Sequence, residues 1–203
     1  MRGERAFLLA VVVAASAPVF ALAQSTPAPA LVGTFRSLCL DTGPAGRTAA
    51  LAAAEKAGWS PVPDAMLAGF AGQLDKPAGR MKSDASGMQF MVLGEQSRSV
   101  GGTMIRMRAC GVGGGTPDPT AVDALLQAEA GVAKNAQMSS GQQAAWVYVD
   151  EGGRHLSLDA ANSGAIKAAV RAGTARFLMK QTRPAAQVSP GGLTIIMMAV
   201  PTS

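Results

Sequence analysis

The one histidine of this 203-residue chain, His155, is the side chain best suited to general acid–base chemistry. Three carboxylates lie close to it in sequence, those of Asp150, Glu151 and Asp159. A carboxylate that orients the imidazole would allow a hydrolase mechanism with a hydroxyl nucleophile. The chain contains no Gly-x-Ser-x-Gly elbow or other nucleophile signature. We therefore expect His155 to be an exposed strand residue, and we assign no catalytic residue.

Methionine is abundant in the chain, and its thioether can bind cuprous ion in export compartments. Met88 and Met91 are three residues apart, and so are Met104 and Met107. Side chains alternate between the faces of a strand, so this spacing sends the two members of each pair to opposite faces. Aromatic residues make up only 4% of the chain, and methionine fills irregular core space well. We interpret the methionines as core residues and predict no metal site.

The glycine-rich run 111–115 lies between a predicted strand and a predicted helix, where backbone amides can cradle a phosphate. Thr116 occupies the place of the last glycine of the dinucleotide fingerprint, and no Lys-Ser or Lys-Thr pair follows the run. The segment from Gly111 to Pro117 is therefore predicted to be a flexible connector, and no cofactor is predicted.

The two cysteines, Cys39 and Cys110, are 71 positions apart. An even number of cysteines in an exported protein favours pairing. The close Cys-x-x-Cys spacing of redox and metal pairs is absent. We predict a structural disulfide between them.

Three aromatic residues stand out. Trp146 and Tyr148 share one face of a predicted strand, so they form either a wall of the core or part of a ligand groove. Together with His155 they are the candidate ligand-binding residues. Trp59 follows a predicted helix stop at Gly58 and is expected to hold that helix against the sheet.

Residues 1–23 have the form of a cleavable export signal. Arg2 and Arg5 precede a nearly continuous apolar run, and Ala21–Ala23 places small residues where a signal peptidase cuts. Gln24 follows, where a bacterial lipoprotein would have cysteine. We predict a periplasmic or secreted protein with no transmembrane anchor in its mature chain.

The remaining residues divide into two parts. A Pro/Ser/Thr-rich stretch at 24–30 is predicted to be a disordered linker, and 31–203 to be a single globular domain. The formal net charge of the whole chain is +5, but its basic residues are interspersed with acidic ones. This pattern argues against nucleic acid as a partner, and leaves an unknown protein or small ligand.

The order of predicted elements indicates the fold class. Helix formers dominate 44–57, Asp118 and Pro119 are suited to begin a second helix, and 163–172 predicts a third. A pair of strand-length apolar segments follows each helix: 88–93 and 103–112, 144–150 and 154–158, 174–181 and 193–200. Segments 72–87 and 94–102 are predicted to be a loop and a hairpin connector. We expect an α+β fold in which an antiparallel sheet of about six strands carries roughly three helices on one face, as three helix–strand–strand units.

Several short motifs together suggest a resemblance. The segment Phe35–Thr42, the alanine-rich helix after it, Ala57-Gly58-Trp59 and the cysteine at 110 resemble a group of small exported bacterial proteins of unknown function. The resemblance implies an exported domain with a bridge between Cys39 and Cys110, and it transfers no activity. The expected function is a non-enzymatic binding or interaction domain. A hydrolase that uses His155 and a methionine-based copper-handling protein are the alternatives.

Overall fold

One antiparallel sheet of eight strands forms the centre of the fold, in the order β1-β2-β3-β4-β8-β7-β5-β6. The computed structural model describes residues 25–42, 46–84, 87–100, 103–158, 163–183 and 192–202, so the predicted export signal at 1–23 lies outside the described residues. The strands are β1 (Ser60–Pro61), β2 (Asp75–Asp84), β3 (Gly87–Val100), β4 (Thr103–Gly114), β5 (Gln143–Glu151), β6 (Arg154–Ser157), β7 (Ala175–Arg183) and β8 (Leu193–Pro201).

Helices pack on both faces of this sheet. They are α1 (Ala28–Phe35), α2 (Gly46–Lys56), α3 (Asp64–Ala68), α4 (Pro119–Ala130) and α5 (Ser163–Arg171). Helices α1, α2 and α4 cover the face that carries Cys110, Trp146 and Tyr148, which we call the disulfide face. Helices α3 and α5 cover the opposite face. None of these helices is long and apolar enough to span a membrane, a finding that extends only to the described residues.

The α+β class and the antiparallel sheet are confirmed, but the predicted details are wrong in four respects. The described residues contain eight strands rather than about six, and five α-helices rather than three. The helices lie on two faces because α5 packs Ile166, Ala169 and Val170 against side chains that point away from the disulfide face. The α4-β5-β6 and α5-β7-β8 units follow the predicted helix–strand–strand order. In the first part of the chain, β1 and α3 separate α2 from the next strands, and three strands (β2, β3 and β4) follow α3 instead of two.

Two predicted non-strand segments belong to strands. The loop predicted at 72–87 contains β2, and the connector predicted at 94–102 is mostly the second half of β3. Strand β2 is next to the edge of the sheet, with only the two-residue β1 beyond it. Most of its side chains are at least partly exposed, so it lacks the apolar alternation that reveals a strand.

The predicted glycine connector is also wrong, because β4 continues through Gly114. Glycine is required here by close packing across the sheet surface. A Cβ atom at Gly113 would lie 2.3 Å from the ring of Phe90, and one at Gly94 would lie 2.8 Å from the Cβ of Leu74. These glycines therefore make room for side chains of the opposite face rather than for a phosphate.

The predicted helix signals correspond to real caps and stops. The side chain of Asp118 accepts hydrogen bonds from the backbone N–H groups of Thr120 (3.0 Å) and Ala121 (2.9 Å) at the start of α4. Gly58 has a φ of 81° just after α2 ends. Helix α1 begins at Ala28, inside the segment predicted to be a linker.

The predicted disulfide is present. Cys39 and Cys110 are bonded, with a Cα–Cα distance of 5.5 Å. Cys39 lies in a π-helical turn (Arg36–Leu40) that continues α1, and Cys110 lies in β4. The bridge thus fastens the segment before α2 to the sheet. Trp59 is buried in the same core as α2, as its position after Gly58 led us to expect.

A partly buried ionic cluster joins α4 to the sheet. The ammonium of Lys180 on β7 lies 2.5 Å from Asp123 Oδ1, and that of Lys134 lies 2.8 Å from Asp123 Oδ2. The Lys180 side chain is only 8% exposed. Burial, the largest influence, raises the pKa of Asp123, but the hydrogen bonds and charges of Lys134 and Lys180 together outweigh it and hold that pKa below its usual 3.8.

We expect Asp123→Asn to lower the free energy of unfolding by about 2 kcal/mol at pH 7, because hydrogen bonds to a charged group are lost. A carboxyl with a lowered pKa in the folded state stabilises the protein above its unfolded pKa, and this contribution disappears as the pH falls through the folded pKa. The difference between wild type and variant should therefore shrink below about pH 4 in urea unfolding experiments. Asp75→Asn is the control, since Asp75 pairs with Arg106 at an exposed site and should contribute less than about 0.5 kcal/mol. An Asp123→Asn effect that is equally large at pH 3 would contradict this account.

Candidate functional site

A pocket of about 450 Å³ opens on the disulfide face, beside the bridge between Cys39 and Cys110. Its sheet side includes apolar side chains, Leu93 from β3 and Met198 and Val200 from β8, beside charged and polar ones. The other wall comes from the π-helical turn, the residues after it and the start of α2: Leu40, Thr42, Gly46, Arg47 and Ala50. The bridge joins these two walls, so the pocket is built around a covalent link.

Tyr148 and His155 line this pocket as a stacked pair, with ring centroids 4.3 Å apart. Tyr148 is only 4% exposed, and within the described residues its hydroxyl has no hydrogen-bond partner. Burial is the main cause that raises the pKa of Tyr148 to about 12; the charge of Arg176 opposes this shift, while Glu129 and Asp150 add to it. The phenol is therefore neutral at physiological pH and has a proton to donate.

The surroundings of His155 differ from the expected exposed position, because the ring is half-buried against the pocket. Its Nδ1 lies 2.8 Å from the carbonyl oxygen of Ala130, at the end of α4. A carbonyl can only accept, so Nδ1 carries a proton and donates it to Ala130. Asp150 is the cross-strand neighbour of His155, but its carboxylate accepts from the Gly153 N–H at 3.2 Å. Asp159 lies outside the described residues.

Three arginines line the pocket: Arg47, Arg108 and Arg176. A terminal nitrogen of Arg47 donates to the Lys76 carbonyl at 2.7 Å. One terminal nitrogen of Arg176 lies 3.2–3.3 Å from the carbonyl oxygens of residues 173, 174 and 175, which hold the guanidinium in place. Arg108 is exposed and makes no hydrogen bond or ion pair with any residue that the structure describes.

The carboxylates of the pocket are mostly compensated. Glu95 forms an ion pair with Arg106, and Glu129 lies 3.7 Å from Arg36. Both of these arginines lie outside the pocket lining. Asp150 is exposed at the edge of the pocket.

Of the three candidate ligand-binding residues, Trp146 does not reach the pocket. It shares the disulfide face with Tyr148, as predicted, but it is fully buried in the core beneath α4. Its Nε1 donates to Gln127 Oε1 at 3.0 Å. Trp146 is therefore a core residue, whereas Tyr148 and His155 stand at the pocket.

Arg108 and Arg176 were missed by reasoning from the sequence. A signal was available for Arg108, which precedes Cys110 by two residues and so shares its face of β4. Any cavity beside the disulfide would therefore meet this guanidinium. No comparable signal marks Arg176, whose place depends on the pairing of β7 with β5 and β8.

Met88 and Met91 lie three residues apart on β3, and Met104 and Met107 lie three residues apart on β4, so the members of each pair point to opposite faces as predicted. Met91 packs in the core of the disulfide face, and Met107 packs in the core of the opposite face. Met104 is 67% exposed. Among the described residues, no group of three or more His, Cys, Asp or Glu side chains could hold a metal ion.

No protein-family model, curated protein or solved structure matches this chain. The resemblance to small exported bacterial proteins stays a prediction.

Proposed function

We propose that the protein is an exported, non-enzymatic binding domain that takes a small organic ligand in the pocket beside the disulfide. The observation that carries this proposal is the hydroxyl of Tyr148, a group of a buried residue that lines the pocket and has no partner among the described residues. The hydroxyl oxygen is not one of the fully buried side-chain atoms that lack a partner, so it is accessible from the pocket, where a ligand with an acceptor atom can take the place of water.

The size and lining of the pocket support the same proposal. Sites for small molecules commonly enclose about 300–1,000 Å³ and combine apolar walls with a few polar groups. Here Leu93, Met198 and Val200 supply apolar surface, while Tyr148 and Arg108 supply polar atoms. The bridge between Cys39 and Cys110 joins the two walls covalently beside this space.

The disulfide supports the export part of the proposal, because such bonds persist in oxidising compartments outside the cytoplasm. The signal-like residues 1–23 agree with a periplasmic or secreted location. The ligand is therefore a compound present outside the cytoplasm.

The position of His155 favours binding over hydrolysis. A His-based hydrolase needs a carboxylate to orient the ring and a nucleophile within hydrogen-bond reach. In the described part of the chain, Nδ1 is bonded to a backbone carbonyl instead, and no hydroxyl is bonded to the ring. The copper alternative has no comparable support, because the two members of each methionine pair are three residues apart on one strand and point to opposite faces.

A fluorescent probe of the pocket tests the proposal. N-phenyl-1-naphthylamine is neutral, small enough for the pocket, and bright only in an apolar site. We expect saturable binding of one dye per protein, and at least about a tenfold weaker Kd in Val200→Phe, because the added ring occupies the space beside the bridge. Met197→Phe is the matched control, since Met197 packs on the opposite face of the same strand.

The measurement is a fluorescence titration of each purified variant, with thermal unfolding to verify that both are folded. Absence of saturable binding, or equal affinity in wild type and Val200→Phe, would exclude this pocket as the binding site.

A further inference from the structure

We infer that the ligand of this pocket is an organic anion with an apolar body, and that Arg108 binds its acid group. This inference rests on the proposed function and specifies the chemistry of its ligand.

The first argument is the unpaired state of Arg108. Arg108 on β4 has two cross-strand neighbours: Glu95 on β3 and Val200 on β8. The carboxylate of Glu95 would be the natural partner of Arg108, but it pairs with Arg106, which also lies 3.5 Å from Asp75. Arg108 thus has no ion-pair partner among the described residues.

The second argument is the charge balance of the whole pocket. None of its three arginines is ion-paired within the described residues, since Arg47 and Arg176 bond only to neutral carbonyl groups. By contrast, Glu95 and Glu129 each have an arginine partner from outside the lining. Among the described carboxylates of the lining, Asp150 at the exposed edge is the one without a cationic partner. The pocket therefore favours a negatively charged ligand over a neutral or positively charged one.

The third argument is the arrangement of these groups across the sheet. Val200 of β8 has Arg108 of β4 as its neighbour on one side. On the other side β7 runs antiparallel to β8 and pairs Phe177 with Ala199, so Arg176 lies next to Val200. Tyr148 is the next neighbour of Arg176, on β5. Arg108 and Tyr148 are thus three strands apart, about 14 Å at the usual strand spacing. A ligand whose acid group meets Arg108 would lay its body over Val200 and direct its other end toward the Tyr148 hydroxyl.

A matched pair of dyes tests the inference. The dye 8-anilinonaphthalene-1-sulfonate has the frame of N-phenyl-1-naphthylamine with one sulfonate added. We expect wild type to bind the sulfonate dye about tenfold more tightly than the neutral dye, as one charge-assisted contact in a partly enclosed site provides. Arg108→Met should abolish this preference, so that the ratio of the two Kd values falls to about one in a variant whose thermal unfolding shows that it is folded. Arg183→Gln, which removes an exposed arginine outside the pocket, should keep the preference.

A competition experiment extends the test to carboxylates. Octanoate should displace the sulfonate dye from wild type and should displace it about tenfold less well from Arg108→Met, because the same guanidinium binds either acid. Octylamine, with the same chain and a positive charge, should not compete.

The outcomes separate the two proposals. If the neutral dye binds in a Val200-dependent way but the sulfonate dye binds no more tightly, or if Arg108→Met keeps the preference, the inference is overturned and the binding function stands. If neither dye binds saturably, the proposed function fails and the inference fails with it. A thermal midpoint of Arg108→Met close to that of wild type shows that this variant is folded.

Discussion

Trp146→Ala is expected to lower the free energy of unfolding by about 4 kcal/mol, since removal of a large buried aromatic side chain leaves a cavity that the core fills only in part. Trp146 is fully buried between the sheet and α4. Its indole N–H donates to Gln127 Oε1 at 3.0 Å, and the ammonium of Lys134 lies 5.8 Å from its ring centroid. The substitution therefore also removes the hydrogen-bond donor that Gln127 uses.

Urea unfolding at pH 7 measures this effect, with two further variants for comparison. Trp146→Phe keeps most of the apolar volume and should lose clearly less stability than Trp146→Ala. Leu156→Ala is the exposed control, because Leu156 is 43% exposed on β6 and should change stability by less than about 0.5 kcal/mol. A loss in Trp146→Ala no larger than in Leu156→Ala would contradict the burial of the indole.

The elements that could be predicted from the sequence are those with local signals. Helix α4 begins at an Asp118 cap, α2 ends before Gly58, and the β5–β6 hairpin turns through Gly152 and Gly153, whose φ values are 59° and 77°. Each of these signals depends on a few consecutive residues. Strand β2 has no such signal, because its polar side chains reflect a place near the sheet edge that only the completed fold defines.

The side of the sheet on which a helix packs could not be predicted either. The apolar stripe of α5, formed by Ile166, Ala169 and Val170, shows that the helix is half-buried but not which face it covers. Gly113 is similar, since the reason for glycine there is the ring of Phe90 on another strand. Both facts depend on contacts between distant parts of the chain.

The candidate site could be predicted only in part, because its set of residues also depends on contacts between distant parts of the chain. Tyr148 and His155 were recognisable as an aromatic and a lone imidazole on adjacent predicted strands. Arg108 and Arg176 join them only through the register of four strands, β4, β8, β7 and β5. Residue type can therefore suggest single members of such a site, whereas the set requires the sheet topology.

Removal of the bridge between Cys39 and Cys110 is expected to lower the free energy of unfolding by about 4 kcal/mol, and the thermal midpoint by about 10 °C. The bridge closes a loop over a sequence separation of 71 residues. In the chain-entropy account, loss of the bridge restores conformational freedom to the unfolded chain and so stabilises the unfolded state, while the folded state changes little. Differential scanning calorimetry of Cys39→Ser, Cys110→Ser and the double variant measures the effect, and mass spectrometry of unreduced, alkylated wild type establishes that the bridge is present.

The three variants provide an internal control. Each single substitution already removes the whole bridge, so the double variant should be no less stable than the single ones, within about 0.5 kcal/mol. Additive losses would instead indicate that the two sulfur atoms stabilise the core separately. Because the entropic effect acts on the unfolded chain, the folded double variant should bind N-phenyl-1-naphthylamine nearly as well as wild type. A large loss of dye binding in a folded double variant would mean that the bridge also holds the two walls of the pocket in place, and that its contribution lies in the native state.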